Sequence, residues 1–203
     1  MKRYLVEFIG TFFLVLTVGL SQSPLAIGAI LAAMVYMGGY ISGAHYNPAV
    51  TLAVWIRGKI KGSVAGWYML SQLLGAVIAA KTYWLLRGAF FTVSPGLNVS
   101  FAAAALAEAI FTFALASVVL HSAVTKKTEG NDYYGLAIGL VVMAGAFSVG
   151  SISGGAFNPA VGVGPILVDI ANWGQNGTNI LLYLLGPAIG ATLAALAHSY
   201  LTD

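Results

Sequence analysis

Ser-Gly-Ala-His-Tyr-Asn-Pro-Ala-Val at residues 42–50 and Ser-Gly-Gly-Ala-Phe-Asn-Pro-Ala-Val at residues 153–161 are one phrase written twice in a chain of 203 residues. Asparagine is a favoured helix N-cap. Proline is favoured at the first helical position, where its missing amide hydrogen has no intrahelical partner to lose. Each copy therefore reads as a helix start, Asn47-Pro48-Ala49 in the first and Asn158-Pro159-Ala160 in the second. Both lie in apolar surroundings where helix starts are unusual, which makes the pair a candidate pore.

Composition says what those surroundings are. Hydrophobic residues make up 59% of the chain and charged residues 7%, against roughly 25% charged in soluble domains, so a water-facing surface cannot be built. The chain reads as an integral, multi-pass membrane protein whose first partner is the lipid bilayer. A net charge of +3 is too diffuse to point to nucleic acid, and the count of 0 cysteines excludes disulfides and thiolate metal sites. No cofactor or metal is expected.

Charge-poor stretches give six predicted spans, roughly 4–20, 24–41, 63–86, 100–121, 133–150 and 178–200, near the length of about 20 residues that a bilayer core requires. Two shorter apolar pieces, about 47–56 and 158–170, begin at the two asparagines. The first would be about 15 Å long as a helix, half the apolar thickness. Two such half-helices entering from opposite faces meet near the midplane.

Met1-Lys2-Arg3 followed by the apolar run Phe12–Leu20 resembles a signal peptide, but an internal repeat argues that this segment belongs to the fold. Glu7, Thr11 and Leu14 recur as Glu108, Thr112 and Leu115, an offset of 101 residues, in the phrase Glu-x-x-x-Thr-x-x-Leu. The nine-residue phrases are offset by 111, and Gly75-Ala76 matches Gly190-Ala191 at 115. One channel domain, 1–203, is expected, made of repeats of approximately 1–99 and 100–203, with the polar linker Thr125 to Asp132 taking up the extra length. Three spans per repeat is an odd number, so the second repeat is inverted relative to the first. Lys2, Arg3, Arg57, Lys59, Lys61, Lys126 and Lys127 fall on one predicted side, which places both termini in the cytoplasm.

Each half-helix carries about half a positive charge at its N-terminus, and two such ends facing one another repel protons and metal ions. Asn47 and Asn158 would each direct an amide donor into the lumen. The extended segments before them, Gly43-Ala44-His45 and Ser153-Gly154-Gly155, can satisfy their carbonyls only by lining a wet cavity. Those carbonyls form a ladder of acceptors for a neutral solute.

Two Ser-Gly-x-x-x-Asn-Pro-Ala phrases, two Glu-x-x-x-Thr-x-x-Leu spans and six helices resemble the major intrinsic proteins, the aquaporin and aquaglyceroporin family, over essentially the whole chain. The resemblance implies an all-α, aquaporin-like bundle of six transmembrane helices with two re-entrant half-helices. It also implies one pore per subunit, a homotetramer, and passive conduction of water and small neutral solutes without a cofactor. The carboxylates of Glu7 and Glu108 would hold the re-entrant loops, a role that competes with a proton relay. By gap-free counting from the asparagines, the family's outer selectivity filter falls on Ile27, Ala146, Gly155 and Val161. Most members carry arginine where this chain has Val161. The aspartate usual in glycerol facilitators is replaced by Gly162.

A ring of Ile, Ala, Gly and Val has no fixed charge and little bulk, so selection should be relaxed, with glycerol admitted by width alone. Some plant vacuolar members of the family are similar in having valine in the arginine position, and that resemblance implies water together with ammonia, urea or hydrogen peroxide. His45 is either a titratable gate or a family residue that contributes its carbonyl and packing. His121 and His198, at span ends, are read as interfacial, and Gln72 as a helix contact. Gly135-x-x-x-Gly139 and Gly186-x-x-x-Gly190 read as packing seams. Two rivals to the channel are a secondary transporter for a small neutral solute and a junctional or structural membrane protein on the same fold. The first would need ionisable groups at the midplane and the second a long outer surface. An enzyme would need a nucleophile, base and metal ligands that converge, and none do.

Overall fold

The computed structural model describes residues 1–202. Among the described residues six helical segments are long and apolar enough to cross a membrane. They are α1 (Lys2–Ser21), α2 (Pro24–Ser42), α4 (Gly62–Arg87), α5 (Phe101–Val119, continued by a π-helical turn Leu120–Val124), α6 (Tyr134–Ser153) and α8 (Trp173–Thr202). Two short α-helices lie among them, α3 (Pro48–Ile56) between α2 and α4, and α7 (Pro159–Val168) between α6 and α8. The element ends differ from the sequence reading by a few residues, most at α8, which begins at Trp173 rather than near 178.

Leucine and isoleucine side chains such as Leu106, Ile110, Leu140, Leu193 and Leu196 are exposed on the outer face, as a lipid-facing surface requires. Small residues do the opposite work inside. A Cβ on Gly75 would collide with the Phe8 carbonyl oxygen, and one on Gly190 with that of Ala109. This is the same close approach of α4 on α1 and of α8 on α5, at the offsets of the internal repeat. The two glycine seams lie where helices cross, Gly135 and Gly139 against Tyr36, Ala32 and Gly28 of α2, and Gly186 and Gly190 against α5.

His198 is not interfacial. Only 2% of it is exposed, because Arg57 at the end of α3 donates from Nε to its Nδ1 at 2.9 Å and Thr125 Oγ1 stands 2.8 Å from its Nε2. His121 stacks edge-on against it at 4.7 Å. These contacts pin the free end of α3 to α8 and to the linker, so the half-helix is held at both ends.

Candidate functional site

The site is assembled by two buried carboxylates. Glu7 and Glu108 are fully buried in α1 and α5. Glu7 Oε1 accepts from Ser42 Oγ at 2.7 Å and the His45 amide at 3.0 Å, and Oε2 accepts from the Tyr46 amide at 2.7 Å. Glu108 repeats the pattern with Ser153 Oγ at 2.7 Å, the Ala156 amide at 3.0 Å and the Phe157 amide at 2.6 Å. Every partner is a donor, so both carboxyl groups act as acceptors. That geometry fits loop anchors rather than a relay.

The loops are not the extended segments that the sequence suggested. Gly43 and Gly154 cap α2 and α6 with φ of 87° and 89°, and Ala44, Tyr46 and Phe157 also have positive φ, at 51°, 49° and 48°. Left-handed residues in succession turn consecutive amides toward one anion. The carboxylate in that nest holds two bulky residues, Tyr46 and Phe157, in a conformation that costs them strain. Two further residues escaped the sequence reading. Tyr68 donates its hydroxyl to the Ser42 carbonyl and Tyr183 to the Ser153 carbonyl, each at 2.7 Å. The two tyrosines are themselves offset by 115 residues, the one signal that links them.

Asn47 and Asn158 cap α3 and α7 through their side-chain oxygens, which accept from the amides of Ala49 at 2.8 Å and Ala160 at 2.9 Å. Pro48 and Pro159 occupy the first helical positions. The amide groups cross over: Asn47 Nδ2 donates to the Phe157 carbonyl at 2.8 Å and Asn158 Nδ2 to the Tyr46 carbonyl at 2.9 Å. Each amide thus spends one hydrogen on the opposite loop and retains one. The two positive helix ends are locked nose to nose.

A cavity of about 450 Å³ runs past this junction, with both asparagines in its wall. Ile27, Ala146, Gly155 and Val161 all line it, as do Ala44, His45 and Gly154. Two residues expected to offer carbonyls do not line this cavity. Ser153 is fully buried and its carbonyl is taken by Tyr183. Gly43 opens instead onto a second cavity of about 760 Å³ beside the linker. The wall therefore runs Ala44-His45-Tyr46 and Gly154-Gly155-Ala156. Its apolar part is paired by the repeat: Leu14 with Leu115, Ile27 with Ile138, and Val50 with Val161. Applying the offsets 101 and 111 to the residues already in hand would have found the partners. The connection Phe91 to Ser94, unnoticed in the sequence, forms part of one mouth of the cavity with Gln22. It is held there by the Gly96 amide, which donates to the Ile152 carbonyl at 3.1 Å. Among the described residues no three His, Cys, Asp or Glu side chains gather to hold a metal ion.

Six membrane-length helices and a cavity that runs past two opposed half-helix N-termini define a transmembrane channel. The chain belongs to the major intrinsic protein family, whose sequence profile, described as Major intrinsic protein, matches residues 1–198. Aquaporin AqpM from Methanothermobacter thermautotrophicus is 34% identical to it, over an alignment that covers 100% of this chain and 98% of that one. Glycerol uptake facilitator protein-like 6 from Lactiplantibacillus plantarum is also 34% identical, with 96% of this chain and 95% of the relative covered. Among solved structures, the aquaglyceroporin from Plasmodium falciparum superposes with a TM-score of 0.83 at 21% identity, covering 96% of this chain and 93% of that one. The protein is thus a passive channel for water or small solutes and not an enzyme.

Proposed function

We propose that the protein conducts water together with small neutral solutes, ammonia, urea and hydrogen peroxide first and glycerol by width, while it excludes protons and other ions. The observation that carries this reading is the crossed pair of asparagine amides at the meeting point of α3 and α7. A water oxygen that accepts the remaining hydrogens of Asn47 and Asn158 has its own hydrogens turned away, which interrupts a proton wire. The two helix ends add about half a positive charge each against any cation. The filter positions Ile27, Ala146, Gly155 and Val161 add no charged side chain, so width and the carbonyls of the loops set selection there.

The relatives include proteins named as an aquaporin and as a glycerol uptake facilitator, which supports a neutral solute range wider than water. A secondary transporter is disfavoured, because the two carboxyl groups at this depth are committed to the loops. The proposed arrangement is one channel domain of inverted repeats, both termini cytoplasmic, four copies to an assembly and one pore in each. Stopped-flow swelling and shrinkage of liposomes that contain the protein tests the reading with water, urea, ammonia, peroxide and glycerol in turn. Acceleration for water and at least one neutral solute, with no proton leak, is the expected result. An inert liposome response overturns it.

A further inference from the structure

Tyr46 and Phe157 occupy equivalent places in the two loops, directly before the asparagines. Both are buried, and both make the same two backbone bonds. Their amides donate to Glu7 Oε2 and Glu108 Oε2, and their carbonyls accept from Asn158 and Asn47. The residues differ by one oxygen, and that oxygen is bonded. Tyr46 Oη donates to the carbonyl of Met34 in α2 at 2.9 Å, whereas the Phe157 ring packs against Phe111 with centroids 5.5 Å apart.

The first half is cut to receive the hydroxyl. A Cβ on Gly10 of α1 would run into the Tyr46 ring, and one on Gly38 of α2 into its hydroxyl oxygen. By the repeat offsets of 101 and 111, Gly10 corresponds to Phe111 and Gly38 to Val149. Two glycines thus open a slot between α1 and α2 where the second half carries bulk. The exchange is complementary, because Met34, which takes the hydroxyl, corresponds to Gly145. A Cβ on Gly145 would lie 2.7 Å from the Phe157 ring. Ring and slot match within each half.

The consequence falls on a bond across the junction. Tyr46 has a φ of 49°, a conformation that costs a bulky residue strain and persists only when the surroundings impose it. Its amide is held by α1 and its hydroxyl by α2, so backbone and ring are both fixed around the carbonyl that receives the Asn158 amide. Phe157, at a φ of 48°, lacks the second hold. A fixed carbonyl keeps the alignment on which hydrogen-bond strength depends.

We propose that Tyr46 is a positioning residue of the pore: its hydroxyl, anchored to α2, fixes the loop carbonyl that aims Asn158, and Asn158 is the more rigidly oriented of the two asparagine donors. The inference rests on the channel reading of the site and deepens it by making the two donors unequal. Asn158 is oriented by the first repeat more firmly than Asn47 is by the second. A passing water oxygen meets one fixed donor and one looser one.

Two measurements on the full chain test this. In lipid nanodiscs, with side-chain amides assigned by NMR through the backbone, hydrogen exchange at Asn158 Nδ2 should be about threefold slower than at Asn47 Nδ2, the lower range for one ordinary hydrogen bond. Equal rates, or faster exchange at Asn158, overturn the proposal on the unaltered sequence, and this comparison stands even if no variant folds. Tyr46→Phe removes the oxygen, keeps the ring and should bring the two rates together. Tyr68→Phe removes another buried hydroxyl, one that serves the Ser42 carbonyl at the start of the same loop, and should leave Asn158 the slower. If both variants erase the difference, Tyr46 acts by general loosening and the positioning role fails. In liposomes, water permeability per folded channel should fall about threefold in Tyr46→Phe, and an unchanged value also overturns the role. No water permeability in the unaltered protein overturns the channel reading instead, while the order of the exchange rates still decides whether Tyr46 braces Asn158.

Discussion

Gly28 and Gly139 face each other where α2 crosses α6, each holding its carbonyl oxygen where the other's Cβ would stand; the oxygen of Gly139 lies 2.6 Å from a Cβ built on Gly28. The pair is related by the repeat offset of 111, and the contact is reciprocal. Backbone blocks the new atom, and no rotamer change relieves it. Gly139→Leu is expected to force the helices apart at a cost of about 3 kcal/mol, the upper range for overpacking. Loss of the folded fraction in detergent, followed by thermal melting, checks this. A melt unchanged from the original would show that the crossing is looser than the geometry requires.

The crossed amides make Asn47 a double contributor, as N-cap of its own helix and as donor to the other loop. Asn47→Ala should cost about 2 kcal/mol, roughly 1 for the cap and 1 for the hydrogen bond to Phe157. Asn158→Ala should cost the same. The double variant should lose less than the sum, because either change already loosens the shared junction. Denaturant titration of the three variants measures the coupling, and strict additivity would mean that the two loops do not support one another.

Tyr68 and Tyr183 give an internal comparison, since each satisfies a buried serine carbonyl at the same 2.7 Å. Removing only the hydroxyl leaves that carbonyl unpaired, which costs about 1–3 kcal/mol. Tyr68→Phe and Tyr183→Phe should lower the melting temperature by similar amounts. Tyr183→Phe carries a second readout: a Ser153 carbonyl without its partner loosens Gly154 and Gly155 in the cavity wall, so the change should alter solute preference more than Tyr68→Phe does. Equal effects of the two on a panel of solutes would detach Tyr183 from the filter.

These tyrosines also mark where the sequence stops being readable. The six spans and two half-helices were legible because apolar run length and Asn-Pro capping are local signals, carried by the residues that form the element. Glu7 and Glu108 were legible because a carboxyl inside a span has few uses. Tyr68 and Tyr183 were not, because an aromatic residue in an apolar helix announces nothing until its hydroxyl meets a loop in another part of the chain. Ser153 was misplaced for the same reason: its carbonyl, free in the sequence, is taken by that hydroxyl. His198 looked interfacial by its position near a span end, and only the approach of Arg57 and Thr125 buries it. The unexpected positive φ at Ala44, Tyr46 and Phe157 follows from the demand that successive amides meet one carboxylate, a condition that involves α1 or α5 and is invisible in the loop itself.

In the proposed function, Val161 is the residue on which solute range turns. It lines the cavity at the first turn of α7, together with Ile27, Ala146 and Gly155. A Cβ added at Gly155 would lie 3.3 Å from the Ala146 backbone, so this side of the ring is already close-packed, and bulk can be added only from Val161 or Ile27. Arginine at 161 would bring both length and charge into a ring that has neither. Val161→Arg should therefore lower urea and glycerol permeability on the order of tenfold, equivalent to about 1.4 kcal/mol in barrier height, and water permeability less. Val161→Leu adds bulk without charge and separates the two contributions: loss of the larger solutes in both variants assigns the effect to width, and loss in Val161→Arg alone assigns it to charge. If Val161→Arg passes urea and glycerol as well as the original chain does, Val161 is not part of the filter.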